Sequence, residues 1–222
     1  MALEEATTTT KSRLLEAAGE EFADKGYDAA SIRKICDRVD ANCAAVNYHF
    51  GSKEQLYLEA LLEAHRCGTE MMAEELLRQG TPAEKLRRFI HHFLKNVVAI
   101  GHRRTWHHAL MLREMIQPTA ALEVLVREAI RPKFERLIGI LREACPEADE
   151  RRLHALAFSV IGQCLHYRTG GPVNRRLVGE EAYQALDLDY LTDHISGFCL
   201  AALGLAPPVI ECRGEARQSS RD

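Results

Sequence analysis

The chain has 222 residues, with 29 Lys+Arg against 32 Asp+Glu and a formal net charge of −3. Apolar residues make up 46% and charged residues 27%, enough apolar surface to build a core and too much for a disordered chain. The near-neutral balance excludes a protein that grips nucleic acid through a bulk positive field and leaves only a local patch for that purpose. The seven cysteines, at 36, 43, 67, 145, 164, 199 and 212, are odd in number and form no CxxC pair. That pattern argues against a disulfide framework or a Cys-rich zinc site and fits a reducing compartment. The opening MALEEATTTT lacks the charged-then-apolar order of a secretory signal, and no run approaches the ~18 apolar residues of a membrane span. A soluble cytoplasmic chain with no membrane partner is expected.

Almost every segment repeats apolar residues at helical spacing, and no alternating strand pattern emerges. A first helix is expected from about Thr10 to Lys25, with Leu14, Leu15, Ala18, Phe22 and Ala23 on one face and Gly26 as a left-handed stop. A short helix follows Ser31 and carries Ile32, Ile35, Cys36 and Val39. Asp40-Ala41-Asn42 interrupts it, and a second short helix holds Ala44, Ala45, Val46 and Tyr48. Ser52 should cap the next helix, which turns Leu56, Tyr57, Ala60, Leu61 and Ala64 inward and runs to about Gln79. Thr81-Pro82 opens a helix with a stripe of Leu86, Phe89, Ile90, Phe93, Leu94 and Val97. A segment over Arg104–Met115 precedes a helix of about 25 residues that restarts at Gln117-Pro118-Thr119 and should kink at Pro132. Asp149 should cap a helix ending before Gly170-Gly171-Pro172, and the last helix runs from about Leu188 to Leu203. Residues 206–222 read as a flexible tail. The fold class is all-α, with a three-helix N-terminal domain over residues 10–55 and a larger helical bundle over 56–205.

Ser31–Phe50 has the form of a helix-turn-helix, two helices of about two turns joined by a short turn. A groove-reading helix must be short, rigidly held and free of bulky charge at its front. Asn42-Cys43-Ala44-Ala45 meets that requirement, while Ile35, Val39 and Val46 can lock the two helices together. Within Ser31–Lys53, Arg33, Lys34, Arg38 and Lys53 stand against Asp37 and Asp40, a local net of +2, although residues 1–60 as a whole carry −4. Such a distribution predicts few phosphate contacts per subunit, weak non-specific affinity and reliance on dimer geometry.

The stretch GYDAASIRKICDRVDANCAAVNYHFGSKEQLYLEAL resembles the N-terminal domain of TetR/AcrR-family transcriptional regulators over roughly residues 10–60, and NYHFGSKEQLY is its most specific part. The resemblance implies a helix-turn-helix DNA-binding domain followed by a larger helical domain that binds an effector and dimerises. Carried over by residue, it implies that Ser31 caps the first motif helix beside a phosphate and that Asn42, Cys43, Ala44 and Ala45 face the bases. Asn47, Tyr48 and His49 fall where the family places phosphate contacts, Lys53 begins the following helix, and Arg33 and Lys34 lie on the exposed side. The chain departs from the family pattern at three places. Asp40 stands where the turn usually has glycine, the common tyrosine is displaced so that Asn47 precedes Tyr48, and Cys43 replaces an often basic residue. Further on, LREMIQPTAALEVLVREAIRPKFERL and FSVIGQCLHYRTGGPV, over roughly 110–173, resemble the effector domain of the CecR type within the same family.

Candidates for an effector pocket are Phe89, Phe93, Trp106, His107, Met111, Arg113, Gln163, His166 and Tyr167. The aromatic and methionine members read most simply as core, and Arg113-Glu114 reads as a ligand-orienting pair or as an ion pair between helices. Gln163, His166 and Tyr167 suit either a pocket wall or a dimer seam. His91-His92, His102 and His107-His108 read as polar helix faces rather than a metal site, because adjacent histidines point to different sides of a helix. Cys43 is either a redox-sensitive thiol at a helix start or a small neutral residue near the groove. No GxSxG, HExxH or Gly-rich phosphate loop is present, so neither catalysis nor a cofactor is expected.

Together these features and the resemblance imply a bacterial one-component repressor. It is expected to be a homodimer paired through C-terminal helices near 150–170 and 187–204, bound to a double-stranded pseudo-palindromic operator and released by a small-molecule effector. The alternative is a helical ligand- or partner-binding protein that has lost specific DNA reading, a possibility kept open by Asp40 and the uncharged Cys43-Ala44-Ala45 front.

Overall fold

The computed structural model describes residues 2–67, 79–98 and 106–207. The expected continuation of the fourth helix beyond Cys67, His102, and the segment after residue 207 lie outside the described residues. Every regular element among those described is helical. In chain order they are α1 (Ala2–Ala29), α2 (Ile32–Arg38), α3 (Cys43–Phe50), α4 (Lys53–Cys67), α5 (Pro82–Val98), α6 (Trp106–Ile116) and α7 (Ala121–Leu125). A π-helical turn (Val126–Ile130) leads into α8 (Arg131–Ala144), followed by α9 (Glu150–Thr169), α10 (Gly171–Val178), α11 (Glu180–Gln184) and α12 (Leu188–Ala202). None of them is long and apolar enough to cross a membrane. They group into two compact units, one holding α1–α4, α6, α7 and the π turn, the other most of α5 together with α9–α12, with a boundary inside α8 after Arg136.

In the first unit α1 is the central element. Leu14, Ala18 and Phe22 are fully buried along one face and join Ile35, Val46, Leu56, Leu61 and Leu110 in a single core. Phe22 and Tyr27 both meet the ring of Tyr57, at centroid separations of 4.9 and 5.1 Å. Two glycines let α1 do this. A Cβ on Gly19 would lie 2.3 Å from the indole of Trp106, so only glycine admits that ring. Gly26 takes φ 80°, which breaks the helix where the sequence places a stop, and one further turn closes to Ala29 through the Ala30 amide on the Gly26 carbonyl. The helix also starts earlier than Thr10, at Ala2. The Ala, Leu and Glu residues ahead of the threonines are strong helix formers, and they outweigh four β-branched neighbours.

Side-chain caps set the other boundaries. Ser31, Asn42 and Asp149 accept from the backbone N–H two or three residues on, as does Asp187, and Thr81 with Glu84 forms a reciprocal capping box. Just before Pro132 the long helix widens into the π turn Val126–Ile130, and the proline, lacking an N–H, cannot make the usual bond to the carbonyl four residues back. The second unit buries Leu86, Ile90 and Leu94 of α5 with Leu153, Ala157 and Val160 of α9 and Leu191 and Ile195 of α12. Lys85 pairs with Glu143 at 2.6 Å, Arg87 with Asp193, and His91 Nδ1 lies 3.2 Å from the Thr192 hydroxyl. Helices α10 and α11 fill a stretch the sequence reading leaves without an element, because Gly170-Gly171-Pro172 reads as a break whereas Pro172 sits in the first turn of a new helix.

Candidate nucleic-acid interface and effector site

Helices α2 and α3 form a braced pair. The Lys34 amide donates to Ser31 Oγ at 3.4 Å, and the Ser31 amide donates to the buried carboxylate of Glu21 at 3.5 Å. Arg38 closes the same corner by pairing with both Glu20 and Glu21 at 3.1 Å. In the turn, the Val39 and Ala41 amides both donate to the Cys36 carbonyl, at 3.1 and 3.0 Å, while Arg13 of α1 donates to the Val39 carbonyl at 3.0 Å. Asp40 takes φ 53°, the left-handed conformation for which relatives of this motif use glycine and which Asp tolerates better than most residues. Asn42 then caps α3, its Oδ1 accepting the Ala44 amide at 2.8 Å.

The predicted DNA-contacting residues fall into four groups. Cys43, Ala44, Asn47 and Tyr48 lie along the exposed face of α3, opposite the buried Val46 and Phe50, with Ala45 and His49 half-buried at the edges. Tyr48 is 79% exposed, its ring meeting that of His49 at 4.9 Å, an unusual position for so large an aromatic side chain. Arg33 and Lys34 project from α2 with no side-chain partner among the described residues. Lys53, by contrast, is held at the start of α4, donating to the Asp28 carbonyl at 3.2 Å and lying 4.9 Å above the Tyr27 ring. Ser31 and Asn42 act as caps here.

Helix α4 starts at the cap the sequence predicts and is wired to the rest of its unit by polar contacts distant in sequence. Ser52 caps it through the Gln55 amide, Glu54 accepts the Tyr27 hydroxyl at 2.8 Å, and Lys11 pairs with Glu59 at 3.0 Å. Deeper in, the hydroxyl of the buried Tyr57 donates to Glu114 at 2.6 Å, and the amide and hydroxyl of Thr119 donate to the same carboxylate at 2.8 and 3.0 Å. Glu114 is fully buried, and its three donors explain how it can be. Arg113 turns away to cap the end of α1, donating to the Ala23 and Asp24 carbonyls at 3.2 and 3.0 Å.

The candidate pocket residues are spread over both units. In the first, Trp106 and Met111 are buried, the Trp106 indole N–H is buried without a hydrogen-bond partner, and the half-buried His107 has its pKa lowered by desolvation. In the second, Phe89 and Phe93 stack at 6.0 Å, Gln163 reaches Cys199 Sγ at 3.5 Å, and the exposed His166 meets Asn174 at 3.1 Å. Tyr167 is half-buried, which raises its pKa. A surface groove of about 660 Å³ lies elsewhere, lined by Thr119, Leu122, Glu123, Val126, Arg127 and Arg131 among others, and contains none of these nine residues. Sequence reasoning misses Lys133, whose ammonium is 2.9 Å from His65 Nε2 and whose pKa is pushed down to about 8, by burial first and by Arg136 second. Phe158 of α9 and Tyr190 and Phe198 of α12 are more than half exposed, as are Val173, Leu177 and Val178 of α10. Among the described residues no group of three or more His, Cys, Asp or Glu converges as metal ligands do.

The family described as bacterial regulatory proteins, tetR family, matches residues 14–60, and that described as the HTH-type transcriptional dual regulator CecR, C-terminal domain, matches residues 82–203. The chain is 29% identical over 175 residues to the HTH-type transcriptional dual regulator CecR of Shigella flexneri, covering 72% of this chain and 76% of that one. Its fold resembles that of the transcriptional regulator FadR from Bacillus subtilis, solved with stearoyl-CoA, with a TM-score of 0.62, 19% identity, and coverage of 85% of this chain and 97% of that one. AibR, solved with isovaleryl coenzyme A and operator DNA, gives a TM-score of 0.61 at 18% identity, covering 85% of this chain and 96% of that one. Capped motif helices, an exposed recognition face and a family match over more than half the length converge: the chain belongs to the TetR family of bacterial regulatory proteins and is a DNA-binding transcriptional regulator with a C-terminal domain of the CecR type.

Proposed function

We propose that this regulator is a cytoplasmic one-component repressor that binds a pseudo-palindromic operator as a homodimer and leaves it when a small-molecule effector binds. The observation that carries the reading is the exposed front of α3: small Cys43 and Ala44 at its start, Asn47 and Tyr48 a turn later, and Arg33 and Lys34 alongside, without a side-chain partner among the described residues. In this reading Asn42, Cys43, Ala44 and Ala45 meet base edges, while Ser31, Arg33, Asn47, Tyr48, His49 and Lys53 fix the register on phosphates. The exposed aromatic residues of α9 and α12 supply the dimer seam.

The division of roles follows the expectation from sequence, with residues 10–55 reading DNA and 56–205 binding effector and partner. Phe89, Phe93, Trp106, His107, Met111, Arg113, Gln163, His166 and Tyr167 are the proposed effector contacts, supported by the orphaned indole N–H of Trp106. FadR and AibR were solved with acyl-CoA thioesters. An effector of this kind bears an apolar chain and anionic groups, and the half-buried Lys133 of the first unit is the proposed partner for the latter.

The test is a gel-shift series on the DNA upstream of the chain's own gene, at several salt concentrations and with and without acyl-CoA thioesters. Specific binding that weakens steeply with salt supports the repressor reading. Binding no tighter than to random DNA at every salt concentration would instead support a ligand-binding protein without operator specificity.

A further inference from the structure

Lys85 pairs with Glu143, Lys25 with Asp24 and Lys11 with Glu59, while Lys53 donates to the Asp28 carbonyl. Oxygen partners of this kind favour the charged ammonium. Lys133, in the first turn of α8, meets a different group: its Nζ lies 2.9 Å from Nε2 of His65, in the last turn of α4. Both side chains are half-buried and belong to the same unit, and no carboxylate pairs with Lys133 among the described residues. Two protonated nitrogens cannot face each other at that distance, so the contact holds one proton between them. Arg136 stands three residues further along α8, on the same face, and adds a like charge. Burial first and Arg136 second push the Lys133 amine down to about 8. An amine that gives up its proton near neutral pH therefore sits against an imidazole placed to receive it.

We infer that Lys133 is a carbamylation site, whose amine takes up dissolved carbon dioxide to form a carbamate held between His65 and Arg136. The nitrogen lone pair attacks the carbon, a C–N bond forms, and one C=O π pair moves onto oxygen. The proton lost from nitrogen passes to His65 Nε2, which leaves a carbamate anion beside an imidazolium. No electrons are exchanged, and carbon dioxide is the sole co-reactant. Lysines held by carboxylates remain ammonium ions without the lone pair that this step needs. Charge favours this adduct over an acyl group. Acylation would remove one positive charge from the cluster, whereas a carbamate replaces it with a negative one that an imidazolium and a guanidinium can both pair with. The site is independent of the operator and effector roles proposed above, since neither DNA nor effector takes part in the reaction.

The test uses the full chain at about pH 8 in isotopically labelled bicarbonate, where the lowered amine is about half uncharged. A carbamate carbon resonance should appear, and ethylation with triethyloxonium followed by peptide mass analysis should place the adduct on Lys133. The α-amino group titrates in the same range and is the internal competitor. Lys133→Arg should abolish the lysine adduct; a resonance undiminished in that variant, or an adduct spread evenly over the lysines, overturns the inference. His65→Gln keeps a hydrogen-bonding side chain but cannot take the proton, and occupancy should fall about tenfold, the scale of one bond to a charged group. Unchanged occupancy in that variant refutes the pairing with His65. Thermal unfolding gives a reading that needs no chemical trapping. Bicarbonate in place of equal chloride should raise the Tm of the chain by about 2–4 °C and leave that of Lys133→Met unmoved. An equal rise in both proteins would mean that the stabilisation arises elsewhere and refutes the site.

Discussion

Replacing Tyr57 by Phe isolates the bond on which the burial of Glu114 depends. The ring remains packed edge-on against Phe22 and Tyr27, so the apolar packing is preserved and only the hydroxyl is lost. Glu114 keeps the Thr119 amide and hydroxyl but loses its shortest donor, at 2.6 Å, in a site with no solvent to replace it. A hydrogen bond to a charged group is worth roughly 1.5–3 kcal/mol, and at the middle of that range the variant is about 2 kcal/mol less stable. For a chain of this size that corresponds to a fall in Tm of about 4–8 °C. Tyr27→Phe is the internal control: it removes a bond of similar length, at 2.8 Å, but to the exposed Glu54, where water takes over, so it should cost about 0.5 kcal/mol or less. Thermal unfolding of the two variants under identical conditions decides the matter. Equal losses would falsify the view that the buried carboxylate depends on Tyr57.

Gly19→Ala forces a Cβ to within 2.3 Å of the Trp106 ring and should destabilise the first unit by about 1–3 kcal/mol. Trp106 is the sole tryptophan, so its fluorescence should shift in the folded state as the indole is displaced; an unchanged spectrum would mean that α1 and α6 are not so tightly apposed. Lys133→Met tests the half-buried ammonium. With a folded pKa near 8 against an ordinary 10.5, the unfolded chain holds more protons between those values, so this group's contribution to stability rises with pH across that window. The variant should lack that rise and be the more stable protein at pH 7, as read by urea unfolding at a series of pH values. Phe158→Glu with Phe198→Glu should shift sedimentation from dimer to monomer at micromolar concentration, and an unchanged dimer would place the seam elsewhere.

The motif was legible because its determinants are local. Ser31, Ser52, Thr81 and Asp149 announce helix starts within three residues of themselves, and the apolar stripes of α1 and α4 can be counted along the chain. What remained hidden depends on pairs distant in sequence. Glu114 reads as one half of a charged pair with Arg113, but its donors are Tyr57 and Thr119, while Arg113 reaches back to α1. No periodicity brings Lys133 to His65. Gly170-Gly171-Pro172 misleads for the opposite reason: its residues favour a break, yet proline is equally at home in a first helical turn.

Charge poses the remaining problem for a DNA-binding chain with a net −3, and the answer lies in how its N-terminal cations are engaged. Arg38 pairs with Glu20 and Glu21, Lys25 with Asp24, Lys11 with Glu59, and Arg13 with the Val39 carbonyl, so four of its cations are already engaged within the chain. Lys53 is positioned by Tyr27 and Asp28 but retains donors for a phosphate. In the proposed dimer, Arg33, Lys34 and Lys53 would then direct three cations per subunit, six in all, at phosphates. A plot of log affinity against log salt should then have a slope of about −5, from roughly 0.9 per contact. Removing Arg33 and Lys34 together should bring it to about −2 while leaving the order of preference among operator sequences intact, because neither reads a base. A slope that stays near −5 would mean that the neutralising charge comes from outside the motif, and a changed sequence preference would mean that α2 is not merely a phosphate clamp.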